Sequence, residues 1–255
     1  MRVLKIGGRA QSDAMLTGVI RDAWNAAQGE LCVIHGGGDE VSAMQRALGR
    51  EAAFIGGRRV TSQADLELLR MVLSGVVNKR LVSSLVAADV PAVGISGEDA
   101  ALIGAEVIDR AVLGYAGRPV NINKELLQSL LNSGYLPVIS PVAFNSGNDA
   151  GGALNVNGDD AAAAIAAALG ASELLLIVDV EGVLDGDGQV VSSMTLDQAR
   201  GMISNGTATA GMAAKLESAE CALLNGVAAV RICSLRGVAD AQSGTFLTQS
   251  ESVAI

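Results

Sequence analysis

Six short strings in this chain combine residue types that bind anions or hold charge: Lys5-Ile-Gly-Gly8, Val33-Ile-His-Gly-Gly-Gly-Asp-Glu40, Arg58-Arg59-Val-Thr61, Asn155-Val-Asn-Gly-Asp-Asp160, Asp179-Val-Glu-Gly-Val-Leu184 and Ala210-Gly-Met-Ala-Ala-Lys215. A lysine inside an apolar strand is costly unless it meets an anion, and glycines directly after it let a backbone approach one closely. Lys5 with Gly7 and Gly8 has both features. His35 opens a run of three glycines ahead of a helix start, where successive backbone N–H groups make an anion site without a cationic side chain. The guanidinium of an arginine such as Arg59 is planar and can engage both oxygens of a carboxylate. Lys215 falls on the second turn of a helix and projects back towards its N-terminus. Asp179 follows a continuous hydrophobic strand, and in open α/β sheets ligands bind beyond the carboxyl ends of strands. The chain has only four lysines (Lys5, Lys79, Lys124 and Lys215), so two of them in glycine-rich or apolar surroundings are informative.

Other chemistries lack their parts. A His-Gly-Gly-Gly run also serves some esterases as an oxyanion loop, but these need a G-x-S-x-G elbow. The nearest string, Gly94-Ile-Ser-Gly-Glu98, fails at its last position. Neither G-x-G-x-x-G nor G-x-x-x-x-G-K-[ST] occurs, which removes the main supports for dinucleotide-binding and P-loop readings. Three cysteines (Cys32, Cys221, Cys233) and one histidine cannot build a familiar zinc cluster, so the cysteines are read as reduced core residues. Asp185-Gly-Asp-Gly188 lacks the remaining ligands of a calcium loop and is read as a turn.

The elements that must position these residues alternate between short aliphatic runs and longer helical patterns, the signature of a parallel sheet covered by helices. Strands are expected at 3–6, 31–35, 92–95, 137–140, 174–178 and 228–232. Helices are expected at about 15–27, 40–48, 62–88, 124–133, 160–169, 196–204 and 212–225. Gly134, Gly170 and the pair Asn225-Gly226 suit left-handed helix ends. The helix after Asp160 is almost wholly alanine, and Asp160 is expected to cap it. With 255 residues, 50% apolar and 18% charged, the chain can bury a large core. Its net charge of −9 argues against a nucleic-acid partner or an anionic lipid surface. No apolar run approaches the roughly 20 residues of a bilayer crossing, and the start lacks a signal-peptide pattern. The expectation is a soluble, cytoplasmic protein. No Pro- or Ser-rich linker divides the chain, and the irregular stretch 143–154 is taken as the boundary between two lobes, 1–145 and 146–255.

In combination the motifs resemble the amino acid kinase family. The match keeps the family's order over nearly the whole chain: the strings at Lys5, His35 and Arg58, then Val77-Asn-Lys-Arg-Leu81, Gly134-Tyr-Leu-Pro-Val-Ile-Ser-Pro141, and the strings at Asn155, Ile177 and Gly211. The resemblance implies an open, mostly parallel central sheet sandwiched by helices in two lobes. It also implies transfer of the γ-phosphoryl group of ATP, with Mg²⁺, onto the side-chain carboxylate of N-acetylglutamate, the N-terminal lobe binding the acyl amino acid and the C-terminal lobe the nucleotide. Carried over residue by residue, Lys5 and Lys215 would neutralise charge on the moving phosphoryl group. Asp159 would hold both lysines, and backbone N–H groups of Gly8, Gly37 and Gly38 would hold phosphoryl oxygens. Arg59 and Asn155 would bind the acyl substrate. Asp179, Val180, Glu181, Gly182, Val183 and Leu184, with Thr207, Ala208, Thr209, Gly211 and Met212, would surround the nucleotide. The alternatives are a related kinase acting on N-succinylglutamate or a carrier-linked aminoadipate, and a non-catalytic amino-acid-binding regulator. A carboxylate acceptor is already an anion at neutral pH, so no general base is needed, in keeping with the single histidine. Arginine-inhibited members of the family carry an extra N-terminal helix. Here four residues precede Lys5 and span at most about 13–14 Å, so a homodimer unresponsive to arginine is expected, joined through the helical face of the N-terminal lobe.

Overall fold

Strands buried on both faces read as largely apolar runs, and the middle of this molecule is built from four such strands. They are β1 (Arg2–Ile6), β2 (Leu31–His35), β10 (Glu173–Val178) and β12 (Val230–Ser234). The computed structural model describes residues 1–147, 151–208 and 210–249. The remaining strands are β3 (Phe54–Ile55), β4 (Arg58–Arg59), β5 (Ala92–Gly97), β6 (Ile103–Val107), β7 (Ala116–Ile122), β8 (Leu136–Asn145), β9 (Ala153–Val156), β11 (Ser193–Thr195) and β13 (Thr245–Thr248). The helices are α1 (Leu16–Ala26), α2 (Gly38–Ala47), α3 (Gln63–Leu69), α4 (Asn78–Val86), α5 (Arg110–Leu113), α6 (Lys124–Asn132), α7 (Gly158–Ala168), α8 (Leu196–Ser204) and α9 (Ala210–Leu224). A π-helical stretch, Arg70–Val77, joins α3 to α4, so the long helix expected at 62–88 is present with a wider turn in its middle.

The sheet runs β11-β13-β12-β10-β1-β2-β8 and is mostly parallel, with β5 also parallel to β8. The expectation of an open sheet needs correction at its far end. There β8 pairs with β6, β6 with β7, β7 with β9, and β9 returns to β8, closing a four-stranded barrel. The cause lies in β8, which is long enough to serve two partners in succession. Its first half pairs with β2 and β5, and its second half with β6 and β9. Between the halves sits Pro141, which cannot donate to a ladder, and the β5–β8 register shifts beside it, from Ser96 opposite Ser140 to Gly97 opposite Ala143. Such irregularities increase local twist and let a strand turn out of its sheet.

One face of the sheet is covered by α6, α7 and α9 and the other by α1 and α4, each over its own buried cluster. Helix α7 packs against β1, β7 and α9. Its Ala161, Ala162, Ala163 and Ala166 are all essentially without solvent exposure. A methyl group on each side lets the helix lie close to both neighbours at once, which accounts for its composition. Among the described residues no helix is long and apolar enough to cross a membrane.

Candidate active site

Three charged side chains meet at the carboxyl ends of the central strands. Lys5 comes from β1, Asp159 from the first turn of α7 and Lys215 from the second turn of α9. The Lys5 ammonium lies 2.8 Å from Oδ1 of Asp159, and the Lys215 ammonium donates to Oδ2 at 3.1 Å. One carboxylate thus holds two ammonium groups, one on each oxygen. Lys5 is 6% exposed and Asp159 3%. Burial pushes the Lys5 ammonium below its ordinary range, while Asp159 opposes that shift and Lys215 adds to it. Burial alone would raise the Asp159 carboxyl, but the two ammonium groups more than offset it and hold it below the usual carboxylate range. The three groups together carry one excess positive charge in a protected setting, where fixed charges act more strongly than in water.

Two cavities meet at this cluster. The first, about 210 Å³, is lined by Lys5, Gly8, Gly37, Gly38, Arg59, Asn155 and Asp159. The second, about 390 Å³, is lined by Asp179, Val180, Gly182, Val183, Leu184, Thr207, Ala208, Gly211, Met212 and Lys215. A third cavity of about 230 Å³ joins them and is walled by Gly8, Gly38, Asp179 and Lys215. Glu181 is not brought into the second cavity, because it turns away to accept a hydrogen bond from Ser234 at 2.8 Å. Thr209 lies outside the described residues.

The first cavity is shaped by the hairpin β3–β4. Gly56 and Gly57 at its tip both have positive φ, 54° and 72°, as a two-residue turn matched to strand twist requires. Arg59 on β4 is 7% exposed and donates to Gln45 Oε1 at 2.5 Å, to Gly38 O at 2.9 Å and to Ser42 Oγ at 2.9 Å, with its guanidinium 4.6 Å above the Phe54 ring. Asn155 donates to Thr61 Oγ1 at 3.0 Å. At Gly37, φ is 144° and an added Cβ would lie 2.6 Å from Leu73 Cδ2, so a side chain at this position in the glycine loop would be strained and would press on Leu73.

His35 is fully buried, with Nδ1 2.8 Å from Gly36 O and Nε2 3.1 Å from Asn78 Nδ2. Asn78 also donates to Val138 O at 2.9 Å. The carbonyl of Gly36 can only accept, so Nδ1 is assigned the proton and Nε2 accepts from Asn78. Burial lowers the imidazole to about 4. It therefore anchors the glycine loop as a neutral ring. Because its folded value lies below its unfolded value, the unfolded chain takes up this proton first and stability falls as pH drops from about 6.5 towards about 4. Wild type should lose about 2 kcal/mol more than His35→Gln between about pH 7.5 and pH 5 in urea melts. Equal losses would show that His35 is not the titrating group.

The cap of α7 also corrects an expectation. Asn157, not Asp160, is the capping residue, its side chain accepting from the Asp159 N–H at 2.8 Å. Asp160 instead accepts from Arg58 Nη2 at 2.8 Å and from Ser218 Oγ at 2.7 Å. This bridge ties the hairpin over the first cavity to α9, which carries Lys215. Sequence reasoning missed Ser218, although it sits one turn beyond Lys215. It also missed Arg9, which follows the Gly7-Gly8 pair and binds Asp179 at 2.5 Å.

The site has two cavities at strand ends, two glycine loops and a shared lysine–aspartate–lysine cluster, the parts that a site for anionic groups calls for. The model of the amino acid kinase family matches residues 1–234, and the chain belongs to that family. An acetylglutamate kinase of Cereibacter sphaeroides is 41% identical over 98% of this chain and 88% of its own length. One from Paracoccus denitrificans is 45% identical over 90% of this chain and 76% of its own. Among solved structures, the Streptococcus mutans protein smu.665 superposes with a TM-score of 0.87 at 30% identity, covering 98% of each chain.

Proposed function

We propose that this chain phosphorylates the side-chain carboxylate of N-acetyl-L-glutamate with ATP, giving N-acetylglutamyl 5-phosphate for arginine biosynthesis. The observation that carries the reading is the Lys5–Asp159–Lys215 cluster at the junction of the two cavities, supported by relatives named acetylglutamate kinase over most of the chain. The acyl amino acid enters the first cavity, where Arg59 and Asn155 meet its α-carboxylate and acetamido group. The nucleotide occupies the second, along the 179–184 loop and the start of α9. A carboxylate oxygen of the acceptor forms a bond to the γ-phosphorus as the bond to the bridging oxygen of ADP breaks, and no proton moves. Lys5, Lys215 and the N–H groups of Gly8, Gly37 and Gly38 meet the charge spread over the transferring group. Asp159 fixes the two ammonium groups before the ligands arrive.

Among the described residues no three His, Cys, Asp or Glu side chains cluster as a metal cage. That suits Mg²⁺ bound chiefly through substrate phosphates and water, with Asp39 and Asp179 the carboxylates on the joining cavity. When bound it would neutralise phosphate charge. The two-lobe division at about residue 145 follows the ligands, one cavity mainly to each side. A homodimer through the 63–86 helix fits its exposed Met71, Val76 and Val86. ATP as donor fits a cytoplasmic setting.

Purified protein with Mg-ATP should form a hydroxylamine-trappable acyl phosphate from N-acetylglutamate at least roughly 10²-fold faster than from free glutamate, since a site built for polar groups rejects ligands lacking them. Equal rates on glutamate or aspartate would overturn the assignment, and a faster rate on N-succinylglutamate would replace the acyl group.

A further inference from the structure

Arg9 stands where the two ligand cavities join, in a pairing the fold does not depend on. It begins the short 3-10 turn Arg9–Ser12 directly after β1 and the Gly7-Gly8 pair. Its side chain is 76% exposed, and its described side-chain partner, Asp179, is 46% exposed. An ion pair so open to water contributes little to stability and is readily exchanged for a stronger partner. The same side chain lines the second cavity, alongside Leu184 and Met212, and the joining cavity, alongside Gly8, Gly38 and Lys215. The other cation on the joining cavity, Lys215, is already held by Asp159. With Asp39 and Asp179 on the same walls, the charges of the joining cavity do not favour a polyphosphate while Arg9 stays on Asp179.

We propose that Arg9 leaves Asp179 when the nucleotide enters and binds its phosphate oxygens, as a third cation beside Lys5 and Lys215. The proposal rests on the reading of the second cavity as the nucleotide site. A triphosphate offers Arg9 several negative oxygens in place of one carboxylate, and a guanidinium can bond two of them at once, which an ammonium cannot. Arg9 lines the nucleotide side and is not on the wall of the first cavity. It therefore meets charge that builds on the leaving ADP as the bond between the γ-phosphorus and the bridging oxygen breaks. The electron pair goes to ADP, and the acceptor carboxylate supplies the new bond.

The test is calorimetric binding of AMP-PNP and AMP to the full chain, alongside steady-state kinetics. Arg9→Ala should weaken AMP-PNP roughly 10- to 100-fold with AMP changed less than about twofold, the loss expected when charge-assisted bonds to phosphate are removed. It should lower kcat while leaving KM for the acyl acceptor within about twofold. Arg9→Lys should recover only part of the AMP-PNP affinity. An unchanged ratio of AMP-PNP to AMP affinity in Arg9→Ala overturns the proposal. Nucleotide binding needs no acceptor, so this outcome stays distinct from failure of the functional reading, which shows as wild-type protein that makes no acyl phosphate. Circular dichroism separates a folding defect from either, and the exposure of Arg9 makes one unexpected.

Discussion

Replacing Lys5 or Lys215 by alanine is expected to lower kcat by roughly 10²–10³, equivalent to about 2.7–4 kcal/mol, the range seen when one preorganised charge-stabilising group is removed. The two losses should not be interchangeable in their binding signatures. Lys5 lines the first cavity and Lys215 the second, so Lys5→Ala should disturb acceptor binding more and Lys215→Ala nucleotide binding more. Both ammonium groups lean on one carboxylate, so the double variant should lose less than the product of the single losses. Steady-state kinetics of the three variants would check this. A variant that keeps near-wild-type kcat would place its lysine outside the chemistry.

Asp159→Asn is the second large effect, and its sign depends on pH. Asp159 raises the Lys5 ammonium against the downward push of burial, so without it Lys5 releases its proton at lower pH. Activity of the variant relative to wild type should therefore fall as pH rises, not as it drops. Removing one partner of a buried charge cluster also costs about 3–5 kcal/mol of stability. The capping role is no compensation, because Asn157 already caps α7. Asp160→Asn should be milder, since Arg58 and Asp160 are both partly exposed. Parallel pH–rate profiles and urea melts of the two variants decide it, and the reversed ranking would assign the central role to the wrong aspartate.

Legibility of the fold tracked how each strand is buried. β1, β2, β10 and β12 are closed in on both faces and so are written as largely apolar runs, broken by the buried Lys5 in β1 and Arg231 in β12. The barrel strands are different: β6 contains Gly104 and Glu106, and β7 contains Gly117, Arg118 and Pro119. They are held by closure of the ring and carry no strong pattern of their own. The two-residue strands of the hairpin are too short to show one. In the site, Lys5 and Lys215 stood out because lysine is scarce and both lie in apolar or glycine-rich strings. Arg58 was singled out only as one of a basic pair and Arg9 not at all, because what ties each to the site is an aspartate 102 or 170 residues away. Asp160 carried a strong local signal for a cap, and a partner from a distant hairpin won it instead.

The alanine helix has a consequence for inheritance. Ala161, Ala162, Ala163 and Ala166 are buried from solvent, and α7 lies between the strand that carries Lys5 and the helix that carries Lys215. Adding two methyl groups at any of them, as alanine-to-valine changes do, overpacks the core by typically about 1–3 kcal/mol. The strain is delivered to the spacing of the two ammonium groups. Alleles of this kind would be conditional, functional in cool growth and failing in warmth, and this low-complexity segment would drift more slowly than its simple composition suggests.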